Sequence, residues 1–353
     1  MAQRVNPKLK KELSDFGIKE WNDCYHCGNC TAVCSLTEQD VVFPRKDIRL
    51  LQMGLKQKLS LNVEPWLCYY CGDCSTTCPR DANPAERMMS LRRYLTSVYD
   101  WTGLSKLFYT IKSLHLLSFL ILGIIILIIT LYSGREVFAL GHTLEQYFVG
   151  VVALFIIVPG VFRMYWFSVV KDKTIKVPFG AYISSLFDFV FHAATQKKIL
   201  KCEKSAFAWL RHWIVAVGYI VMLVMFVFFD WIKTAEGPSI APKIVAYLVI
   251  GLMTLFSGII LITRATKKEQ VHKFSELSDW LFPIWLFLLG LTALIAYFLK
   301  QTGNHETATI IYIIHIIVIT QWALLIVPFS KWTHIAYRPM AIYISKLKKK
   351  GRK

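Results

Sequence analysis

Eight of the nine cysteines fall in two runs of identical spacing: Cys24, Cys27, Cys30 and Cys34 in CYHCGNCTAVC, and Cys68, Cys71, Cys74 and Cys78 in CYYCGDCSTTCP. Both read C-x2-C-x2-C-x3-C. Thiolates at this density suit cubic iron–sulfur clusters, in which three close cysteines hold three corners and the fourth reaches across to a second cube. Structural zinc also takes four thiolates, but it normally draws them from two separated pairs and has no use for such a triplet. The spacing therefore predicts two [4Fe-4S] clusters, one held by Cys24, Cys27, Cys30 and Cys78, the other by Cys68, Cys71, Cys74 and Cys34. Gly28 and Gly72 admit tight turns whose N–H groups can face cluster sulfur. Ser35 stands where the second run has Pro79. His26 is expected beside the first cluster without coordinating it, and Cys202, alone in sequence, as a plain thiol.

A second group of chemistry-bearing residues lies in apolar surroundings. Imidazoles facing each other across helices are the common way to hold a b-type haem, and a histidine inside a membrane bundle is a functional hypothesis by default. His212 enters one apolar stretch, His334 leaves another, and His315 precedes His334 by nineteen residues, about 28 Å along a helix axis. One helix thus offers a ligand near each membrane face. His115, His192 and His272 are expected at the interface.

The elements that must position these residues are helical. The chain has 353 residues, 55% hydrophobic and 18% charged, with a net charge of +18 concentrated beyond residue 112. This balance argues against a wholly soluble protein. Basic charge beside apolar runs marks juxtamembrane loops facing anionic lipid, which sets aside a nucleic-acid partner. Apolar stretches at approximately 113–132, 143–165, 210–230, 241–263, 280–299 and 308–330 are each long enough to cross a hydrocarbon layer of about 30 Å. Lys and Arg number seven in 166–208, four in 264–279 and eight in 331–353, against one in 133–142, two in 231–243 and one in 300–307. Both termini are therefore expected in the cytoplasm, as is the N-terminal segment, MAQRVNPKLKKELSDFG, which lacks an apolar export signal. In a reducing compartment clustered cysteines are metal ligands rather than disulfides.

The expected fold class is all-α: a helical two-cluster ferredoxin-like domain over 1–112, then a six-helix transmembrane bundle over 113–353. Pro44 and the Asn83-Pro84 pair predict starts for the helices RKDIRLLQMGL and AERMMSLRRYLTSV. The linker 166–208 suits a helix on the membrane surface, and 331–353 reads as a basic C-terminal tail.

The segment HIIVITQWALLIVPFSKWTH, residues 315–334, resembles the last helix of the respiratory nitrate reductase gamma (cytochrome b) family, where two histidines flank an apolar stretch ending in a Pro-Phe-Ser turn. His212 in RHWIVAVGYIVM matches that family's first histidine on the partner helix. The resemblance implies that His212 and His334 hold a cytoplasm-proximal haem b. The family's second histidine on that helix is Met222 here, which leaves the distal haem open: His315 could pair with Met222 or with His142, or that haem is absent. Two cubane motifs joined to such a cytochrome resemble the membrane-anchored iron–sulfur subunits of quinone-interacting membrane-bound oxidoreductases, which are similar to the C-type subunit of heterodisulfide reductase fused to a gamma-type cytochrome b. What this implies is electron exchange between menaquinone and soluble flavin-containing heterodisulfide-reductase-like subunits at a prokaryotic cytoplasmic (inner) membrane, in dissimilatory sulfur metabolism or in another respiratory complex of this kind.

Independently of the resemblance, one-electron carriers in the membrane beside one-electron carriers in the cytoplasm form an electron wire, with quinol the natural lipid-soluble reactant. No G-x-G-x-x-G follows a strand, so flavin or nicotinamide chemistry is expected of partners. Arg135, Lys233, Lys243, Lys300 and His305 in the outer loops are expected to be solvated. A transporter would show interrupted helices in repeated halves, and only Pro159-Gly160 suggests a break. A zinc-bearing scaffold would leave His212, His315 and His334 unexplained.

Overall fold

The computed structural model describes residues 4–18, 21–38, 41–133, 137–202, 205–227, 233–234, 237–238, 240–267 and 269–351. Among these the chain is helical apart from a two-residue antiparallel pair, Lys233–Thr234 with Gly237–Pro238. The helices that matter for the site are α1 (Asn29–Ala32), α2 (Asp73–Thr76), α3 (Pro84–Tyr99), α4 (Lys112–Tyr132), α5 (Val137–Val152), α6 (Phe179–Thr195), α7 (Ala206–Val227), α8 (Ile240–Ala265), α9 (Leu277–Gln301), α10 (His305–Gln321) and α11 (His334–Gly351).

The start predicted at Asn83-Pro84 is that of α3, although the Asn83 side chain bonds the Asp81 carbonyl rather than the helix end. The helix predicted after Pro44 runs Arg45–Gln52 and is followed by Gly54 at positive φ. α3 is enclosed over almost its whole length and forms the axis of the N-terminal half.

Among the described residues four helices are long and apolar enough to cross a membrane: Lys112–Tyr132, Ile244–Ala265, Leu277–Gln301 and His305–Phe329. Two shorter apolar helices, Leu154–Val170 and Ala206–Met222, coincide with the second and third stretches expected to span. α7 packs on α8, α8 on α9 and α9 on α10, while α4 and α5 close on the other side of α10. α5 continues to Val170 through π turns at Ala153–Ile157 and Trp166–Val170, and α10 continues to Phe329 through a π turn at Trp322–Ile326. Pro159 follows the first of these turns and Pro328 the last. Each ring removes one backbone donor, and the wider turn adjusts the hydrogen-bond ladder without breaking the helix. Pro159-Gly160 is thus a local widening in a continuous helix.

Two segments outside the apolar stretches are helical. The basic tail is the helix α11, and Tyr337, Ala341 and Ile344 on it belong to the same buried cluster as Leu9, Trp66, Leu91 and Tyr94 of the N-terminal half. Lysines dominate its end, so a reading by charge alone misses the apolar stripe. The linker forms α6, packed on α11, with Phe179, Ile183, Leu186, Phe187 and Val190 exposed; this apolar face is what a helix lying in the headgroup region would present.

Candidate iron–sulfur and haem centres

The two cysteine runs adopt the same backbone. His26 and Tyr70, the second residues between the first two cysteines of each run, both have left-handed φ, 61° and 63°. Gly28 and Gly72 follow at 90° and 91°, and each starts a short helix, α1 or α2. Only glycine takes the latter angles without strain. α1 and α2 lie against each other, and Asn29 Nδ2 donates to the Thr77 carbonyl at 2.5 Å, drawing the end of the second run onto the first.

This packing sorts the thiols into two mixed sets. Cys34, Cys68, Cys71 and Cys74 line one cavity. Cys30 sits near Cys24, Cys27 and Cys78, and burial together with those neighbours pushes its thiol up to about 11. Sulfurs gathered this way resist ionisation until a cation neutralises them, which is the service bound iron performs. Tyr70 N–H donates to Cys68 Sγ at 3.3 Å and Ala82 N–H to Cys78 Sγ at 3.4 Å, the contacts expected of cluster ligands. Among the described residues no three His, Cys, Asp or Glu side chains converge on a single-ion position; a cube is wider than an ion, and sulfurs spaced around one stand farther apart. The donor sets fit two cubes.

The two sets face different ways. In the first, Cys27 and the neighbouring Tyr25 are exposed, with Arg80 over the Tyr25 ring. In the second, Cys68 is buried, and the connection between α8 and α9 covers it: Tyr70 Oη lies 3.0 Å from the Val271 carbonyl oxygen, and a Cβ on Gly72 would meet Val271 at 2.8 Å. A buried ion-pair group joins the halves, with Arg93 2.7 Å from Asp279 and 3.2 Å from Glu86, and Lys331 3.6 Å from Asp279.

His334 is the first residue of α11. Ser330, extended at φ −127°, ψ −168°, ends the preceding helix, and its hydroxyl accepts from Trp332 N–H, turning the chain so that α11 leaves the bundle for the N-terminal half. His212 is held by α7, whose start is tied down by Trp213 Nε1 donating to the Ala194 carbonyl at 2.8 Å. The His212 and His334 rings face each other with centroids 6.3 Å apart and planes at 56°. Two imidazoles on opposite sides of one iron, each about 2 Å from it, stand about 6 Å apart between centroids, so the pair fits a haem iron. His334 Nδ1 bonds the Lys331 carbonyl, so Nε2 is the nitrogen that would face a haem iron.

His315 is buried in α10, its Nδ1 2.8 Å from Thr292 Oγ1 of α9. Met222 packs in the apolar cluster with Tyr219 and Trp322. The helix of His142 packs directly on α10, and a Cβ on Gly141 would fall 2.5 Å from Tyr312 Oη, one turn from His315; the His142 side chain lies outside the described residues. Arg135 lies outside the described residues, and so do the side chains of Lys233 and Lys243.

Three features depart from the sequence expectations or lie beyond them. His115 is fully buried, stacked on Phe108 at 4.6 Å, rather than interfacial. His192 is also buried, its Nε2 3.0 Å from Tyr69 Oη. Arg338, one turn after His334, donates to the carbonyls of Trp66 at 3.2 Å and Cys68 at 3.1 Å and lies over the Tyr69 ring. Sequence offers no signal for contacts across such separations.

A domain of known type accounts for the cysteine-bearing part: the family described as 4Fe-4S dicluster domain matches residues 20–82. The chain is also 30% identical over 104 residues to a protein of Archaeoglobus profundus described as like the C-type subunit of heterodisulfide reductase, covering 28% of this chain and 55% of the relative. The chain thus spans about half the length of that relative. No solved structure matches. The dicluster match supports [4Fe-4S] clusters in the cysteine-bearing part.

Proposed function

We propose that this chain is the membrane electron-transfer subunit of a heterodisulfide-reductase-like complex, linking menaquinone in the bilayer to soluble flavin-containing partners. When bound, two [4Fe-4S] clusters and one haem b, with a second possible at His315, supply one-electron redox chemistry between quinone and partner. Cys24, Cys27, Cys30 and Cys78 hold the outer cluster, Cys68, Cys71, Cys74 and Cys34 the inner one, and His212 with His334 the proximal haem. Of the two candidates for the distal partner of His315, His142 is favoured over Met222, because its helix packs on α10.

The observation that carries this reading is the placement of His334 and Arg338 one turn apart on α11, with Arg338 bonded to the carbonyl of Cys68. A haem ligand and a cluster ligand are thereby connected through a single helical turn and one guanidinium. The exposed Cys27 edge gives soluble partners access to the outer cluster. The cytoplasmic side is assigned to the iron–sulfur half from the Lys and Arg distribution.

The test is metal and spectral analysis of anaerobically purified full-length protein in detergent. Two cubes and one or two haems require about nine or ten irons per chain, with acid-labile sulfide and a b-type pyridine haem spectrum. Addition of a menaquinol analogue should reduce the haem. Zinc in place of iron, or a colourless preparation, overturns the reading, and a haem that quinol analogues fail to reduce removes the quinone.

A further inference from the structure

The ninth cysteine is not isolated in space. Cys202 is 6% exposed and lines the same cavity as Cys34, Cys68, Cys71 and Cys74. The thiols of Cys71 and Cys202 are near neighbours in it. Two anchors bring it there from the connection between α6 and α7. Ser35 Oγ donates to the Lys201 carbonyl at 2.7 Å and lies 3.6 Å from Cys202 Sγ. His192, ten residues earlier, meets Tyr69 Oη, beside Cys68. The first anchor gives a role to the one position where the two cysteine runs differ at their ends. Proline, which follows Cys78, has no side-chain donor for the Lys201 carbonyl, whereas serine does.

We propose that Cys202 is a fifth thiol of the inner iron–sulfur site, donating its S–H to the Cys71 sulfur and standing within reach of the iron that Cys71 holds. The inference rests on the cluster assignment above. A cube takes four cysteines, so five thiols in one cavity leave one protonated, and the one outside the motif is the donor. A hydrogen bond to a ligating sulfur withdraws electron density and stabilises the reduced cluster, raising its potential. The same proximity makes Cys202 a replacement ligand when Cys71 is removed, because both residues line the same cavity.

The test uses full-length protein purified anaerobically, with iron content, redox titration and electron paramagnetic resonance of the reduced clusters as readouts. Cys202→Ala should keep all eight cluster irons and shift the inner cluster to lower potential, and Cys202→Ser, which retains a donor, should shift it less. Cys71→Ala should retain the inner cluster with an altered resonance, and the double variant Cys71→Ala/Cys202→Ala should lose four irons. The proposal is overturned if Cys202→Ala leaves the potential and resonance of the inner cluster unchanged and Cys71→Ala strips that cluster with Cys202 present. Wild-type protein without eight cluster irons would instead refute the cluster assignment itself, a distinguishable outcome.

Discussion

Arg338 Nη2 lies 3.1 Å from the carbonyl oxygen of Cys68, and the same guanidinium donates to Trp66 and covers the Tyr69 ring. A residue of the C-terminal helix thus fixes the first residue of the second cysteine run. Arg92 Nε, from α3, donates to the Pro65 carbonyl at 2.7 Å, so two buried cations hold the approach to this turn.

Removing Arg338 should be felt in both halves. Hydrogen bonds from a charged group are worth about 1.5–3 kcal/mol, so Arg338→Ala is expected to lower stability by about 2–4 kcal/mol when the lost ring contact is included. Arg338→Lys should recover only part, since an ammonium cannot reproduce the planar fork. Denaturation in detergent measures both, and wild-type stability in Arg338→Ala would show that the contact is dispensable.

His212→Ala and His334→Ala should each abolish the same haem, because the two rings face each other at 6.3 Å. Pyridine haem content should fall by one per chain in either variant and no further in the double variant. Loss of different haems from the two variants would refute the pairing.

Crossed ligation makes a distinct claim about Cys78. Cys78→Ser should alter the resonance of the outer cluster, with Cys24, Cys27 and Cys30, and leave the inner one intact. A change confined to the inner cluster would mean that each run serves its own cube.

Burial pushes the Glu86 carboxyl up to about 7, against the partly compensating pull of Arg93. The folded protein therefore retains a proton that the unfolded chain releases above its ordinary value of 4.5. Whatever stability this proton confers is present at acid pH and is lost as pH rises through about 7. Glu86→Gln removes the titration, so its melting temperature should fall less than that of wild type between pH 5 and pH 8. Parallel pH profiles would show that Glu86 does not titrate in this window.

The two cysteine runs are legible in the sequence because their spacing is local, three thiols within one turn-rich segment, and the matching left-handed positions at His26 and Tyr70 are added by the structure. His212 and His334 are legible because apolar helices make a histidine conspicuous. Cys202, His192 and Arg338 are not, since their significance comes from neighbours 120 residues or more away along the chain. The tail reads wrongly from charge because the lysines at its end outweigh Tyr337, Ala341 and Ile344. His115 reads wrongly as interfacial because its position at the start of an apolar stretch says nothing of the Phe108 ring that encloses it.

The insertion of α11 into the N-terminal half bears on how the molecule can be made. Trp66 and Tyr99 leave the ribosome long before Tyr337, which covers them, so the cysteine-bearing half has an unfinished core throughout synthesis of the membrane helices. The two halves are therefore poor candidates for separation by gene fission or for swapping as cassettes.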